Sequence, residues 1–152
     1  KYNSDITRTF IFGKPSKMQK DIYEVVLEAQ RIGFEEIKSG VKASKVHDSV
    51  HSYIEKTRFK GRFIHSTGHS LGIAVHDSNA RFSSASNLIL KENMVLAFEP
   101  HIYLYQGDQT VAQNYWNVSV RIEDDILITN TGCEILSKDL PFEIAEIEAL
   151  MK

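Results

Sequence analysis

FIHSTGHSLGIAVHD, residues 63–77, brings three histidines together between two short apolar runs. Imidazole is a common metal ligand and general acid or base, and the glycines of this segment allow a tight turn or a close approach of the backbone to a ligand. One histidine alone would most simply be a solvated or hydrogen-bonded side chain. Three in one short segment, with acidic residues further along the chain, favour a chemical site.

The composition is that of an ordinary folded domain. The chain has 152 residues, of which 42% are hydrophobic and 25% are charged, so residues 1–152 are expected to form a single domain with one core. The formal net charge of -2 gives no electrostatic argument for binding nucleic acid or a membrane. Cys133 is the only cysteine and cannot form an intrachain disulfide, which suits a reducing cytoplasm. We expect it to be a small buried residue.

The order of sequence patterns predicts an α+β fold. Residues 5–12 alternate in polarity as a strand does, and a capping box at Ser16 and Gln19 begins a helix that is expected to end at Gly33. A second helix is predicted over residues 44–59, and a closing helix after Pro141. Short β-branched and aromatic runs predict a curved, mostly antiparallel sheet with helices on one face. These runs are residues 62–65, 73–76, 94–99, 102–105, 117–123 and 125–129.

Acidic side chains occur at polar positions or at the ends of several predicted strands. Within residues 118–125, Arg121 and Glu123 alternate with apolar residues and project from the opposite face of the strand. Each acidic residue could equally lie in solvent. Three carboxylates and one imidazole together form a hard donor set that suits Mn²⁺, Co²⁺ or Zn²⁺. This candidate set is Asp5, His69, Glu99 and Glu123.

Other histidine chemistries are disfavoured. The spacing of His65 and His69 matches the helix motif of zinc proteases, but the glutamate beside the first histidine is missing and two glycines disfavour a helix. Ser66 and Ser70 lack the strand–turn–helix elbow that exposes a nucleophilic serine. We expect the remaining histidines to be surface or structural positions, namely His47, His51 and His101.

The chain resembles the catalytic domain of the pita-bread metallopeptidases, in the branch of Xaa-Pro dipeptidases (prolidases) and Xaa-Pro aminopeptidases. Five motifs occur in the order of that family and span nearly the whole chain, so the set is far more specific than any one of them. They are SDITRT (4–9), HSTGHSLG (65–72), VHD (75–77), FEP (98–100) followed by IY (102–103), and VRIED (120–124).

The resemblance implies two divalent metal ions, of Mn²⁺, Co²⁺ or Zn²⁺, that activate water for hydrolysis of Xaa-Pro peptide bonds. Asp5 and Glu123 would bridge the two ions. His69 and Glu99 would complete one of the two metal positions, and Glu99 would also act as the acid and base.

The same resemblance implies roles for four further side chains. His76 would hold the scissile carbonyl or its oxyanion, and His65 would shape the pocket for the residue after the cleaved bond. A histidine at position 65 is typical of the proline-directed branch. Arg121 would steady the site by hydrogen bonding, and Thr7 would support the metal ligands.

In one respect the chain departs from the family pattern. The family has a further metal-binding aspartate upstream of the position of Asp5, and that position lies outside this sequence. We therefore expect residues 1–152 to be the C-terminal portion of an N-terminally truncated catalytic domain, with one metal position weak or empty and hydrolysis impaired. A homodimer is also expected, since an edge strand at residues 5–12 could pair with another chain.

Two other functions remain open for such a fold. One is a non-catalytic module that binds peptides or proteins, and the other is a metal-free hydrolase such as creatinase. The intact donor set favours the metal-dependent enzyme over both. The choice between dipeptidase and aminopeptidase, and that of the metal, stays open.

Overall fold

The computed structural model describes residues 1–151 and consists of helices packed on antiparallel sheets. The helices are α1 (Lys17–Glu36), α2 (Ala43–Ile54) and α3 (Ile144–Leu150), with a 3₁₀ turn at Gln113–Tyr115. The strands are β1 (Gly68–Ser70), β2 (Arg81–Phe82), β3 (Val95–Phe98), β4 (His101–Tyr103), β5 (Ser119–Arg121), β6 (Asp124–Ile128) and β7 (Cys133–Ile135). One antiparallel sheet has the order β2-β1-β3-β6-β7, and β4 pairs with β5 in a second. The predicted α+β class is confirmed.

Helix α1 begins where its capping box predicts. The Ser16 hydroxyl accepts the Gln19 N–H at 3.2 Å, and the Gln19 side chain accepts the Ser16 N–H at 2.9 Å. The helix continues past Gly33, so the prediction that this glycine ends it is wrong. A Cβ atom on Gly33 would lie 2.1 Å from Cζ of Phe98. The glycine is therefore required for close helix–sheet contact and not for a left-handed C-cap.

The other two helices differ from their predicted lengths. Helix α2 ends at Ile54 instead of residue 59, and turns lead from there to Gly61, which has φ +73°. Helix α3 follows Pro141 as predicted, but among its residues only Ile147 is buried. A membrane-spanning helix is not found among residues 1–151.

The core lies between the helices and the sheet. Phe98 is its central aromatic residue, with ring centroids 5.4 Å from both Phe34 of α1 and Phe82 of β2. Cys133 is half-buried at the edge of this core, which is less than predicted. Burial raises the pKa of its thiol to about 11, so the thiol stays protonated near neutral pH.

Four of the predicted strands are present as β3, β4, β5 and β6, with shifted ends. Residues 62–65 and 73–76 are not strands. The Ile64 N–H donates to the His101 ring at 3.2 Å, and the Asp77 carboxylate accepts the Ala74 N–H at 2.9 Å and closes a turn. In both segments a side chain takes a hydrogen bond that a ladder would need. Strands β1, β2 and β7 lie outside the predicted runs.

Residues 5–12 do not form the predicted strand. Thr7 makes an isolated antiparallel bridge with Glu123. On either side of Thr7, side chains replace the ladder: the Asp125 carboxylate accepts the Asp5 N–H, and the Thr9 hydroxyl both donates to the Arg121 carbonyl and accepts the Arg121 N–H. The segment therefore runs beside the sheet without forming the expected regular edge strand.

Candidate metal centre

Three predicted metal ligands from distant parts of the chain lie together. Asp5, His69 and Glu123 each offer one ligand atom, and these atoms all lie within 4.8 Å of one another. His69 Nε2 is 3.5 Å from Asp5 Oδ2 and 3.9 Å from Glu123 Oε1. His69 and Glu123 are buried, whereas Asp5 is half-buried. Two carboxylates and one imidazole can therefore approach a single cation.

Glu99 lies beside this triad and is the fourth predicted ligand. Its Oε1 atom is 3.8 Å from His69 Nε2, and its Oε2 atom is 3.7 Å from Nη1 of Arg121. Burial, with the negative charge of Glu123 as the next cause, raises the pKa of Glu99 to about 7. The carboxylate is therefore costly to ionise without a nearby cation.

The pairing of β1 with β3 brings His69 and Glu99 together. His69 is opposite Ala97 in the antiparallel register, and the Glu99 N–H donates to the Thr67 carbonyl at 2.7 Å. A Cβ on Gly68 would lie 2.1 Å from the Ala97 carbonyl oxygen. Glycine at position 68 thus permits the close approach of the strand that carries His69.

Glu123 is held by two neighbouring side chains. It lies between β5 and β6 and is 1% exposed. The Thr7 hydroxyl donates to Glu123 Oε2 at 2.5 Å, and Arg121 Nε lies 3.6 Å from the same oxygen. Burial raises the pKa of Glu123, although the Thr7 hydrogen bond opposes this effect. Thr7 and Arg121 therefore orient the buried Glu123 carboxylate.

Asp125 is a residue of the site that the sequence reasoning did not assign. Its two carboxylate oxygens accept the Asp5 N–H at 3.2 and 3.3 Å. Burial raises the pKa of Asp125 to about 6, against the lowering effect of that hydrogen bond. Its position two residues after Glu123, on the same face of the polypeptide, was the signal available in the sequence.

A buried ion pair lies on the opposite side of these strands. Asp124 is 0% exposed and its Oδ1 atom is 2.6 Å from Nη2 of Arg8. Gln30 and Ser137 donate to the same carboxylate. Arg8 also donates to the backbone carbonyls of Thr7 and Glu123, at 3.0 and 2.8 Å. The ion pair therefore anchors the backbone that carries the candidate ligands.

The predicted substrate-binding residues surround the centre. His76 is exposed, with its ring centroid 4.1 Å from that of His69. His65 is half-buried, and its Nε2 atom is 3.3 Å from the Tyr103 hydroxyl, which in turn accepts from Arg121 Nη1 at 3.3 Å. His76 therefore faces solvent beside the ligands, and His65 and Arg121 are joined through Tyr103.

Two of the three histidines assigned to surface or structural positions are buried. His47 is hydrogen-bonded to the Thr67 hydroxyl at 2.6 Å, and His101 is fully enclosed. Burial lowers the pKa of His101 to about 3. These two rings belong to the interior, whereas His51 of α2 is half-exposed at 46%.

The residues of the centre fit a divalent cation. Asp5, Glu99 and Glu123 supply carboxylate oxygens, His69 supplies one nitrogen, and Arg121 is the guanidinium among them. Buried carboxylates of like charge repel one another, and a bound cation would relieve that repulsion. Oxygen-rich sites with one imidazole suit Mn²⁺, Co²⁺ and Zn²⁺.

Similarity to known proteins extends along most of the chain. The sequence model described as metallopeptidase family M24 matches residues 1–130. The Xaa-Pro dipeptidase of Pyrococcus furiosus is 39% identical over 137 residues, which cover 90% of this chain and 36% of that protein. The Xaa-Pro aminopeptidase of Haemophilus influenzae is 36% identical over 169 aligned positions, covering 99% of this chain and 39% of that protein.

The fold agrees with these sequence similarities. The solved structure of Pseudomonas aeruginosa aminopeptidase PepP superposes with a TM-score of 0.87 at 36% identity, covering 99% of this chain and 38% of that one. The predicted pita-bread architecture is confirmed by this likeness, and the chain spans little more than a third of the length of these relatives. Because the family model accounts for all but the last part of the sequence, this chain belongs to metallopeptidase family M24.

Proposed function

We propose that this chain forms the metal-binding part of a peptidase that hydrolyses Xaa-Pro bonds. The observation that carries the proposal is the convergence of Asp5, His69 and Glu123 within 4.8 Å. The similarity to proteins named Xaa-Pro dipeptidase and Xaa-Pro aminopeptidase supports a proline-directed substrate.

The four predicted ligands would hold the metal. Asp5 and Glu123 would provide carboxylates shared between two cation positions, and His69 and Glu99 would complete one of them. That position is the stronger of the two, since the compact triad within residues 1–151 belongs to it. A divalent cation bound there supplies Lewis acidity, which lowers the pKa of a water molecule and polarises a carbonyl.

The side chains around the cation would perform the remaining steps. Glu99 lies between His69 and Arg121, where its carboxylate can take a proton from the attacking water and transfer it to the leaving nitrogen. His76, exposed beside His69, can donate a hydrogen bond to the carbonyl oxygen as negative charge develops there. His65 forms a wall for the proline ring, whose tertiary amide offers no N–H to recognise.

Metal binding is the first test. Titration calorimetry of the metal-free protein with Mn²⁺, Co²⁺ and Zn²⁺ should show about one tight site per chain. His69→Ala should weaken it by more than the roughly 10–100-fold that loss of an outer-shell partner costs. His51→Ala, which removes a histidine of α2 outside the triad, is the matched control. Equal binding by the two variants would contradict the assigned ligands.

Hydrolysis is the second test. With excess Mn²⁺, the chain should cleave Ala-Pro slowly, should prefer it to Ala-Ala, and should lose the activity in Glu99→Gln. Slow turnover is expected because a second cation would be held weakly. Rapid turnover would show that the chain is not impaired. Metal binding without any cleavage would instead favour the non-catalytic peptide-binding module.

We further propose that the chain forms a homodimer through the apolar side chains exposed along residues 6–12. Phe10 and Phe12 are 50% and 100% exposed, and exposed apolar groups of this size favour association. Light scattering after size exclusion should give twice the monomer mass, and Phe10→Ser/Phe12→Ser should be monomeric. A monomeric parent protein would contradict this proposal.

We also propose a reducing, cytoplasmic setting. Cys133 is the sole cysteine of residues 1–152, so this chain forms no disulfide within itself, which suits a reducing compartment. Cell fractionation should recover it with cytoplasmic markers, and recovery in an exported fraction would contradict this assignment.

A further inference from the structure

His101 is a fully buried histidine that the proposed chemistry does not use. It begins β4, pairs with Arg121 in the ladder, and is 0% exposed. A buried imidazole needs partners for both ring nitrogens, since an unpaired polar group in the interior is costly. The identity of those partners shows what the ring holds in place.

Both nitrogens of His101 bind backbone groups beside predicted site residues. The Ile64 N–H donates to Nε2 at 3.2 Å, so that nitrogen carries no proton. Nδ1 lies 3.2 Å from the Glu99 carbonyl and must then be the protonated, donating nitrogen. The ring thereby ties together the backbone next to His65 and the backbone of Glu99.

The faces of the ring are also occupied. The His65 ring is stacked on His101, with centroids 3.5 Å apart and planes inclined by 18°. Phe63 and Tyr103 lie 4.7 and 4.5 Å away by the same measure. The His65 ring therefore packs on an aromatic cluster formed by buried and half-buried side chains.

Two hydrogen bonds define the tautomer of the stacked His65 ring. Nδ1 of His65 lies 2.8 Å from the Ser66 carbonyl, to which it must donate, and this leaves Nε2 to accept from the Tyr103 hydroxyl. The Tyr103 oxygen accepts from Arg121 Nη1 at 3.3 Å. Rotation of the His65 ring would break both hydrogen bonds and its contact with His101.

We propose that His101 is a positioning residue. Through stacking, and through its bonds to the backbone of Ile64 and Glu99, it holds the His65 imidazole in the one orientation in which the Ser66 carbonyl and the Tyr103 hydroxyl select a single tautomer. The significance of His65 as a wall of the proline pocket rests on the proposed function. The positioning itself does not, because it concerns groups within this chain.

Two variants separate the contacts of His101. His101→Phe keeps an aromatic face for His65 but loses both hydrogen bonds, whereas His101→Gln keeps a donor and an acceptor but loses the stacked ring. His47→Gln is the matched control, since His47 is also buried and contacts Phe63, with centroids 5.3 Å apart. Thermal unfolding measures the loss of stability in all three.

Nitrogen-15 NMR of the histidine rings is the readout. If His101 only stabilised the fold, its replacement would leave the ring-nitrogen shifts of His65 unchanged in the folded variant. In the parent protein, His65 and His101 should each show a single neutral Nδ1–H tautomer, with contacts between their ring protons. His101→Gln should give mixed His65 tautomers, and His101→Phe should keep one tautomer but shift the Ile64 amide signal. His47→Gln should leave the His65 signals unchanged.

Two results would overturn the proposal. One is a mixed tautomer of His65 in the parent protein, which needs no variant to observe. The other is an unchanged His65 spectrum in folded His101→Gln. In the Mn²⁺-loaded protein, His101→Gln should also weaken binding of Ala-Pro by about tenfold, since a pocket wall that is free to rotate must be ordered on binding. Failure of the parent protein to bind Mn²⁺ would count against the proposed function and leave the NMR result intact.

Discussion

Replacing Arg8 with methionine should destabilise the protein strongly, although the residue lies in an irregular segment near the start of the chain. The Arg8 side chain is 6% exposed, and its guanidinium is 2.6 Å from Asp124. It also donates to the backbone carbonyls of Thr7, Glu123, Leu140 and Pro141. Methionine retains the apolar length of the side chain but none of these bonds.

The expected magnitude follows from the burial of Asp124. Removing one partner of a buried ion pair costs about 3–5 kcal/mol, because the remaining charge has lost its counterion. Asp124 would keep only the hydrogen bonds from Gln30 and Ser137. For a domain of this size the loss corresponds to a decrease in Tm of about 6–20 °C. In Arg8→Met/Asp124→Asn the charge is absent, so the double variant should lose about 2–3 kcal/mol less than the sum of the single variants.

Urea unfolding followed by circular dichroism measures these differences. Arg31→Met is the control, since Arg31 pairs with Glu143 at 2.7 Å but is 50% exposed, and an exposed pair contributes at most about 1 kcal/mol. The reasoning is refuted if Arg8→Met costs no more than Arg31→Met. It is also refuted if the effects of Arg8→Met and Asp124→Asn simply add.

Three further predictions concern the centre and its support. Burial raises the pKa of Glu99 to about 7 from 4.5, so the Glu99 carboxyl group binds its proton more tightly in the folded metal-free protein than in the unfolded chain. The free energy of unfolding should therefore fall as the pH rises from about 4.5 to about 7. Thermal unfolding in EDTA should show a weaker fall in Glu99→Gln, and identical pH profiles would contradict the assignment. Gly33→Ala should lower stability by about 1–3 kcal/mol through overpacking against Phe98, although alanine favours a helix; an unchanged Tm would show that the ring can move aside. Asp125→Asn should weaken Mn²⁺ binding by about 10–100-fold, because the Asp5 N–H loses a charged acceptor, and calorimetry showing equal affinity would exclude this supporting role.

Features that depend only on residues close together in the sequence could be predicted. The start of α1 followed from Ser16 and Gln19, whose side chains and backbones satisfy one another locally. The role of Gly33 could not be predicted in this way. Its meaning depends on Phe98, which is remote in sequence and lies in the adjacent sheet.

The strand prediction for residues 5–12 shows a second limit of local patterns. Alternation correctly indicated an extended segment with two faces, but it could not show that the side chains of Asp125 and Thr9 take hydrogen bonds that a ladder would use. The glycines near His69 likewise indicated either a tight turn or a close approach of the backbone to a ligand. They could not show that Gly68 lies in β1 and permits close contact with Ala97, because that contact is a property of the sheet.

The residue types of the candidate centre were available in the sequence, whereas their support was not. Carboxylates and an imidazole can be recognised as a hard donor set, and the structure brings Asp5, His69 and Glu123 together. Asp125 was missed because no local pattern shows that the Asp5 N–H lacks a backbone partner. His101 was read as a surface or structural residue, since its contacts with His65 and Ile64 depend on the fold.

The candidate ligands and the buried ion pair lie on opposite sides of the same two backbone segments. Successive side chains of an extended segment point to opposite sides. Asp5 and Thr7 therefore face the centre together with Glu123 and Asp125, while Arg8 points to the other side, where it meets Asp124. Because Thr7 and Glu123 also share the only backbone bridge of residues 5–12, loss of the ion pair should disturb the ligands as well as the fold. We therefore expect Arg8→Met to weaken Mn²⁺ binding even at temperatures where the variant is folded, and unchanged affinity in the folded variant would show that the bridge alone holds Asp5 and Glu123.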